Sequence, residues 1–330
     1  MIIIGKAPYR ISLLGGSSDL DWFVEKEKFG VSLGYSLSRY SYSILNLLPK
    51  ETKFGILKYS STEKYSDVND IVHPLIREAL KYQNIDFPLE ILTLGFASGG
   101  SGIGGSSSFL LSLLISLYKL LEKEIDILEL AKIASEIEIN RLGKSIGRQD
   151  QYLSAIGGLS CLRFESNQKV LKTQISDEKI RIIKKGIKNM YLVPSNMNRN
   201  ADSVLKKFQN DEVAHQRIKE IRNIAENFIS TKEEREDVLW EMFNTSVRDS
   251  WEIKKSLSNV MNEKLTEKYK YLYENIPNNW IRLLGAGSGG YFLISIKEEV
   301  KNPSKIFIDV GIKDFIKAEI SQEGVTVNEF

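Results

Sequence analysis

A stretch rich in glycine and serine is the part of the chain best suited to hold a phosphate group. Residues 98–108 contain five glycines and five serines. Residues 89–96 before them alternate and predict a strand, and residues 109–121 after them predict a buried apolar helix. Glycine lets the backbone approach a ligand closely, and the free N–H groups at the start of a helix attract an anion. We therefore predict a phosphate-binding loop, in preference to a flexible surface loop with serine caps.

Two common nucleotide-binding loops fit this stretch poorly. A Walker loop requires a lysine where the chain has Gly105. The glycines of residues 100–105 satisfy the Gly-x-Gly-x-x-Gly pattern of dinucleotide-binding proteins. That pattern also needs a second strand that ends in an acid, and the candidate acid, Glu129, lies in a segment whose apolar spacing predicts a helix. A nucleotide-binding dehydrogenase is therefore disfavoured.

A third phosphate loop fits better. The stretch resembles the Pro-x-Gly-x-Gly-Leu-Gly-Ser-Ser-Ala motif of the GHMP kinases, with Gly99 in place of the proline and Gly105 in place of the first serine. Residues 7–19 resemble the N-terminal motif of this superfamily, and residues 284–291 resemble its C-terminal glycine-rich motif. Three motifs in the right order across nearly the whole chain are more specific than any one of them alone.

The resemblance implies a fold. GHMP kinases have an α+β, two-domain fold, in which a ribosomal protein S5 domain 2-like N-terminal domain precedes a ferredoxin-like α/β C-terminal domain. We place the division near residue 170, so that residues 1–170 form the N-terminal domain with the phosphate loop and residues 171–330 form the C-terminal domain.

The resemblance also implies an activity. Residues 15–20 and 147–152 are most similar to D-glycero-D-manno-heptose 7-phosphate kinases, followed by galactokinase-like and fucokinase-like enzymes. This similarity implies a phosphotransferase that uses ATP and Mg²⁺ to phosphorylate the anomeric hydroxyl of a heptose 7-phosphate. The alternatives are another GHMP sugar kinase, or a non-catalytic sensor that binds ATP and sugar on the same fold. The sensor is considered because Gly99 and Gly105 loosen the loop.

The resemblance assigns roles to individual residues. Asp150 is expected to take the proton of the acceptor hydroxyl, and Arg10 is expected to position that hydroxyl. Mg²⁺ is expected on Ser106 and Glu138, whereas Glu136 is two residues away and faces another side of a helix. The residues expected to bind the phosphates of ATP are Gly100, Ser101, Gly102, Ile103, Gly104, Gly105, Ser106 and Ser107.

A second set of residues is expected to bind the sugar: Asp19, Gly16, Ser17, Arg199 and Gly287. A carboxylate such as Asp19 suits a polyol because it accepts several hydrogen bonds, and the alternative is that it only caps a turn or helix. Arg199 is a candidate for a sugar phosphate because guanidinium binds phosphate bidentately, and the alternative is a solvated arginine at a helix start. Lys144 and Arg148 are near enough in sequence to neutralise a substrate phosphate.

The composition excludes several other kinds of protein. The net charge of +2 predicts no nucleic-acid partner. A single cysteine, Cys161, rules out an internal disulfide. The sequence has only two histidines, at positions 73 and 215, so neither a zinc site nor a Ser-His-Asp triad is expected. No apolar run reaches eighteen residues, so we expect a cytoplasmic protein with no membrane partner. The sequence does not indicate an oligomeric state.

Some segments are assigned only a local structure. Residues 127–141 predict one helix, and residues 165–169 and 177–185 predict connecting or edge structure. Residues 201–275 are charged and lack glycine, so they predict helices whose charged faces are solvated. Within them, residues 211–228 and 233–257 are expected to pack as antiparallel helices.

Overall fold

The chain folds into two β-sheets that are covered by helices. The computed structural model describes residues 1–49, 51–97, 100–197 and 201–330. The strands are β1 (Ile2–Leu14), β2 (Phe29–Leu47), β3 (Gly55–Lys58), β4 (Thr62–Tyr65), β5 (Leu89–Gly95), β6 (Leu159–Glu165), β7 (Val170–Thr173), β8 (Met190–Pro194), β9 (Asn278–Leu283), β10 (Tyr291–Ile296), β11 (Ile316–Lys317) and β12 (Thr326–Glu329). The helices are α1 (Asp21–Glu27), α2 (Pro74–Tyr82), α3 (Gly105–Leu120), α4 (Ile127–Ser135), α5 (Gln149–Ile156), α6 (Asp177–Ile187), α7 (Ala201–Phe208), α8 (Glu212–Ser230), α9 (Glu236–Lys255), α10 (Glu263–Asn275) and α11 (Pro303–Asp309).

The first sheet is built on the two long antiparallel strands β1 and β2. Its strand order is β12-β1-β2-β5-β3-β4, and β6 pairs with β2 while β7 pairs with β6. The register of β1 against β2 shifts between Pro8 and Tyr9, at a residue that has no N–H to give to the ladder. Such an irregularity changes the direction of the side chains that follow, and Arg10 is the second residue after the shift.

Helix α3 packs on β1 and β2 and is buried along most of its length. A Cβ built on Gly5 of β1 would lie 2.0 Å from the carbonyl oxygen of Ser112 in α3, so only glycine permits this contact. The burial explains why the sequence of α3 is apolar on all sides instead of amphipathic.

The second sheet has the strand order β11-β8-β10-β9. One hydrophobic cluster joins it to the first sheet, because it contains Tyr9 and Leu33 of the first sheet together with Leu192 and Leu293 of the second. Phe243 of α9 belongs to the same cluster. The two sheets therefore share a core, and α8 and α9 pack against each other beside it, as expected for residues 211–257.

The expectation of connecting or edge structure at residues 177–185 is wrong, because Asp177–Ile187 is the helix α6. Its buried side chains include Ile182, Ile183 and Ile187, which recur at helical spacing. The Oγ of Ser176 accepts the backbone N–H of Lys179 and caps the helix. Lysines on the outer face concealed this pattern in the sequence.

The predicted division near residue 170 stays a prediction, but two strands bear on it. β7 begins at residue 170, extends to Thr173 and pairs with β6 of the first sheet. β12 pairs with β1 over Ile3–Lys6, so residues from the far end of the chain also join the first sheet. In the parts of the chain that the structure describes, no helix is both long and apolar enough to cross a membrane.

Candidate active site

The phosphate loop between β5 and α3 contains three glycines in the left-handed conformation. Gly100, Gly102 and Gly104 have φ angles of 82°, 83° and 77°, which favour a residue without a Cβ. Helix α3 begins at Gly105, so the unpaired N–H groups of its first turn directly follow the loop. The Oγ of Ser101 is buried and has no hydrogen-bond partner among the described residues. A glycine cradle with an unpaired polar atom at a helix start fits the phosphates of a nucleotide.

A second glycine turn, residues 284–290, packs against this loop. A Cβ built on Gly290 would lie 2.3 Å from the carbonyl oxygen of Ser101, so the two glycine segments touch through their backbones. We expected Gly287 to bind the substrate. In the structure its backbone packs against Val260, because a Cβ built on Gly287 would lie 2.6 Å from the Val260 Cα. Two neighbours of Gly287, at positions 285 and 286, line the cleft described below.

Arg10 connects the phosphate loop to Asp150. Its Nε and Nη2 donate to the two carboxylate oxygens of Asp150 at 2.7 and 2.5 Å, and its Nη1 donates to the carbonyl oxygen of Gly102 at 2.6 Å. The backbone N–H of Arg10 donates to the carbonyl of Ile103 at 3.0 Å. A bidentate guanidinium pair fixes both the position and the orientation of a carboxylate. The Arg10 side chain is 4% exposed and that of Asp150 is 24% exposed, so the carboxylate is held but remains accessible.

Asp19 lies close to this pair and is held by three donors. Its Oδ1 accepts the backbone N–H of Ser17 and the side-chain amide of Gln149, both at 3.1 Å, and its Oδ2 accepts the backbone N–H of Gln149 at 2.9 Å. Burial, opposed by the Gln149 N–H and assisted by the charge of Asp150, raises the pKa of Asp19 to about 6. Helix α1 has Leu20 as its N-cap, without a side-chain cap, so Asp19 does not cap that helix.

These groups line one cleft. Its predicted members are Arg10, Gly16, Ser17, Asp19 and Asp150. The structure adds four polar residues that the sequence analysis did not assign to the site: Ser12, Gln149, Lys254 and Arg282. Three cationic side chains therefore line the cleft with two carboxylates, which favours a negatively charged ligand.

Three polar groups surround Gly16 in this cleft. From the position of a Cβ built on Gly16, the Ser12 Oγ, the Gln149 Nε2 and the Lys254 Nζ lie 3.1, 3.6 and 3.9 Å away. The Ser12 Oγ is buried and has no hydrogen-bond partner in the described parts of the chain. A hydroxyl, an amide and an ammonium group around one point are suitable donors for an anion.

Arg282 on β9 is a buried cation of the same cleft. Its Nη1 donates to the backbone carbonyl of Leu13, and its Nε has no partner within the described residues. Burial, together with the charge of Arg10, lowers the pKa of Arg282 to about 10. The positively charged side chains of the cleft therefore repel one another, and a bound anion would reduce this repulsion.

The expectation that the charged residues of 201–275 lie on solvated helix faces is wrong at Lys254. Its side chain is 5% exposed, and it lies on α9 in line with the buried residues Val247 and Trp251. These three positions are spaced by four and three residues, which is the period of one helix face. A lysine that continues an apolar stripe was therefore the available signal for this site residue.

Glu138 is fully buried and accepts four hydrogen bonds. Its Oε1 accepts from the Ser106 Oγ at 2.7 Å and the Lys144 Nζ at 2.8 Å, and its Oε2 accepts from the Ser107 Oγ and the Gln151 Nε2, both at 2.7 Å. Burial by itself would raise the pKa of Glu138, but Lys144 and the two serine hydroxyls outweigh it, so that the pKa is lowered. The carboxylate is therefore ionised in the interior.

The turn that carries Glu138 is a π-helix. It spans Glu136–Arg141 and directly follows α4, so the expected helix over residues 127–141 is confirmed, and its second half takes the wider π form. The side chain of Glu136 is 39% exposed and that of Glu138 is 0% exposed, which confirms that the two glutamates face different sides. π-helical turns are frequent at functional sites, and this one turns Glu138 toward the first turn of α3.

Ser106 and Glu138 are suitable ligands for Mg²⁺. Their side-chain oxygens are already in direct contact, and hard oxygen ligands are the ones that this ion prefers. The described residues contain no group of three His, Cys, Asp or Glu side chains around a common point. Mg²⁺ commonly uses one or two protein carboxylates and completes its shell with water and substrate phosphates, so a hydroxyl and one carboxylate fit that pattern.

Three other expectations have different outcomes. Arg148 forms a bidentate pair with Asp21, with both hydrogen bonds at 2.7 Å, so it is engaged with α1. Lys144 contacts Glu138 and is discussed below. Arg199 and Gly99 lie outside the described residues, and their expected roles stay predictions.

Comparison with known protein families finds a match in the first half of the chain. Residues 72–158, which include the phosphate loop, Glu138 and Asp150, match the GHMP kinases N terminal domain. This match, together with the kinase relative of the next paragraph, confirms the expected phosphotransferase.

Relatives and solved structures extend the likeness over almost the whole chain. The D-glycero-alpha-D-manno-heptose 7-phosphate kinase of Campylobacter jejuni is 24% identical over 304 residues, which cover 88% of each chain. A D-glycero-D-manno-heptose 1-phosphate kinase from Bacteroides thetaiotaomicron has a TM-score of 0.76 at 18% identity and covers 99% of both chains. Lactococcus lactis galactokinase, in complex with galactose, has a TM-score of 0.74 at 17% identity over 98% of this chain and 95% of its own. The predicted two-domain α+β GHMP kinase fold is confirmed.

Proposed function

We propose that this GHMP kinase is an ATP-dependent sugar kinase that phosphorylates the anomeric hydroxyl of D-glycero-D-manno-heptose 7-phosphate, giving the 1,7-bisphosphate. The observation that carries the proposal is the linkage of Asp150 through Arg10 to the phosphate loop, in the same cleft as Asp19. The name of the Campylobacter jejuni relative and the cations of the cleft support a phosphorylated sugar.

Asp150 is the residue that would take the proton of the acceptor hydroxyl. Phosphoryl transfer depends mainly on alignment and on neutralising charge. Arg10 holds both oxygens of Asp150 and the carbonyl of Gly102, so the base and the loop keep a fixed relation. ATP would supply the phosphoryl group, and Ser106 and Glu138 would hold the Mg²⁺ that neutralises the phosphate charge.

Asp19 would orient the sugar. Its carboxylate accepts three hydrogen bonds from Ser17 and Gln149, and an ionised carboxylate has about four acceptor positions. The hydrogen bonds from the described residues therefore leave one position for a sugar hydroxyl. Because the carboxylate is buried and held on both oxygens, it presents this acceptor in one direction.

The phosphate group of the sugar would bind at the donors around Gly16. The Ser12 hydroxyl lacks a partner among the described residues, and both this hydroxyl and the Lys254 ammonium lie within 4 Å of a Cβ built on Gly16. A neutral hexose would leave the Ser12 hydroxyl and the charge of Arg282 without an anion. This difference favours a sugar phosphate over galactose or fucose as the substrate.

The proposal is tested by an ADP-release assay with Mg-ATP and a panel of acceptors: heptose 7-phosphate, the same heptose without phosphate, galactose, fucose and mannose, with mevalonate as the control. We expect release that depends on heptose 7-phosphate, and NMR of the product should place the new phosphate on the anomeric carbon. ADP release with a neutral sugar but not with heptose 7-phosphate would refute the proposed substrate. No release with any acceptor, alongside measurable ATP binding, would favour the non-catalytic sensor.

A further inference from the structure

Glu138 already holds a cation, and this cation belongs to the chain itself. The Nζ of Lys144 lies 2.8 Å from Oε1 of Glu138, the same oxygen that accepts the Ser106 Oγ at 2.7 Å. Ser106 and Glu138 are the two side chains expected to bind Mg²⁺. The ammonium group of Lys144 therefore occupies the oxygen that the metal ion would use.

The opposite oxygen of Glu138 is fixed. Its Oε2 accepts from Ser107 on α3 and Gln151 on α5, and both of these side chains are buried. Exchange of partners is thereby confined to Oε1. The Lys144 side chain is 27% exposed whereas that of Glu138 is 0% exposed, so Lys144 approaches the carboxylate from its open side.

The backbone around Lys144 allows the side chain to leave while the loop stays attached. Its backbone N–H donates to the carbonyl of Glu138 at 3.1 Å. The preceding residue, Gly143, has a φ of 64° and open space on its Cβ side. Since the ammonium is carried on four methylene groups, it can move several ångströms without a change in the backbone.

We propose that Lys144 is the resident cation of the Glu138 site, which keeps the buried carboxylate neutralised in the free protein and is displaced by the divalent ion that enters with the nucleotide. A buried carboxylate without a counterion would be costly. Two cations on one oxygen repel each other strongly in the interior. The free protein is therefore expected to bind a divalent ion poorly until nucleotide phosphates contribute to the site.

This inference rests on the proposed kinase function only for the identity of the displacing ion. Its test needs neither sugar nor turnover. Mn²⁺ replaces Mg²⁺ as the probe because free Mn²⁺ is counted by its electron paramagnetic resonance signal. The titration uses the whole chain without nucleotide, as wild type and as Lys144→Met.

We expect the Lys144→Met protein to bind Mn²⁺ at least about tenfold more tightly than wild type, because the competing charge is gone. Lys132→Met is the matched control, since Lys132 also pairs with a glutamate, Glu129, but at an exposed position on α4. It should titrate like wild type. The gain in Mn²⁺ affinity should be lost in the double variant that combines Lys144→Met with Glu138→Gln.

The charge of residue 144, and not its packing, should decide the result. Lys144→Gln keeps a donor of similar shape without charge and should gain Mn²⁺ binding, whereas Lys144→Arg should remain like wild type. Equal Mn²⁺ affinity for wild type, Lys144→Met and Lys144→Gln would overturn the proposal. Circular dichroism on each variant confirms that the comparison is made between folded proteins. An absence of kinase activity on every sugar would refute the proposed function but would leave this measurement unaffected.

Discussion

The backbone of Gly147 lies directly against the carboxylate of Asp19. A Cβ at position 147 would lie 1.9 Å from Oδ2 of Asp19 and 2.3 Å from its Cγ. Any side chain at this position must therefore displace the carboxylate or move the start of α5. The smallest side chain, that of alanine, is enough to test whether the position of Asp19 matters.

Gly147→Ala should raise the KM for the sugar by about tenfold or more, because moving a positioned acceptor by an ångström removes its hydrogen bond to the substrate. The phosphate loop is a separate segment, so the Kd of a non-hydrolysable ATP analogue should stay within about twofold of wild type. Steady-state kinetics and calorimetry measure the two quantities. An unchanged KM would show that Asp19 does not bind the sugar.

Asp150→Asn should lower kcat by about 10²–10⁴-fold, the usual loss for a general base. Nucleotide affinity should change little, because the link between Asp150 and the described part of the loop runs through Arg10. The exposed Asp70→Asn serves as the control and should keep full activity. Turnover close to wild type in Asp150→Asn would show that another group takes the proton.

The pH dependence of sugar binding should report Asp19. The pKa of Asp19 is raised to about 6 in the folded protein. Its carboxylate is therefore ionised above that pH, and below it the protonated group is a weaker hydrogen-bond acceptor for the sugar. Sugar affinity, measured by calorimetry without ATP, should therefore fall as the pH drops through about 6. In Asp150→Asn the midpoint should move to lower pH, because the charge of Asp150 contributes to raising the pKa of Asp19. A flat profile between pH 5 and 7 would contradict the assignment.

The same shift has a consequence for stability with a defined sign. A carboxyl whose pKa is higher in the folded than in the unfolded protein stabilises the fold when protonated. The contribution of Asp19 is thus complete below its ordinary pKa of 3.8 and is lost as the pH rises through about 6. Urea titrations at pH 5 and pH 7 measure this loss, and bound sugar should offset it.

Lys254→Met should raise the KM for heptose 7-phosphate by about tenfold or more, in keeping with the loss of a charged hydrogen bond to a phosphate. The KM for the same heptose without phosphate should not change. Lys255→Met is the matched control, because Lys255 is the next residue on α9 and pairs with Glu252 at the surface. An equal rise for both sugars would show that Lys254 supports the cleft without binding the phosphate.

The sequence predicted those parts of the site that lie within continuous motifs. The loop at residues 100–107 was predicted from its glycine and serine content and spacing, whereas Arg10 and Asp150 were assigned by the resemblance to GHMP kinases. Arg10 and Asp150 line one cleft, and Arg10 links that cleft to the loop at Gly102. Their exact contacts were not predictable, because the linkage of Arg10 to Gly102 joins residues 92 positions apart. Asp19 was assigned as a sugar ligand, but the burial that raises its pKa depends on α5.

The missed features depend on contacts that local patterns do not encode. Lys254 faces the cleft because α9 packs its apolar stripe on the shared core. Its place on that stripe is a signal in the sequence, but what the stripe packs against is set by tertiary structure. Arg282 is buried because β9 lies beside β10 in the second sheet. The π-helix at Glu136–Arg141 satisfies the same apolar spacing as an α-helix in its first residues, so only tertiary packing reveals the wider turn.

The contact between Gly290 and Ser101 ties the phosphate loop to the second sheet. The carbonyl of Gly290 also accepts the N–H of Ser195 at the end of β8 at 2.7 Å, so the second sheet holds the glycine turn that presses on the phosphate loop. Any opening of the cleft that separates the two sheets must withdraw this support from Ser101. If the loop binds nucleotide as proposed, the second sheet therefore helps to set the strength of that binding without contacting the nucleotide through Ser195.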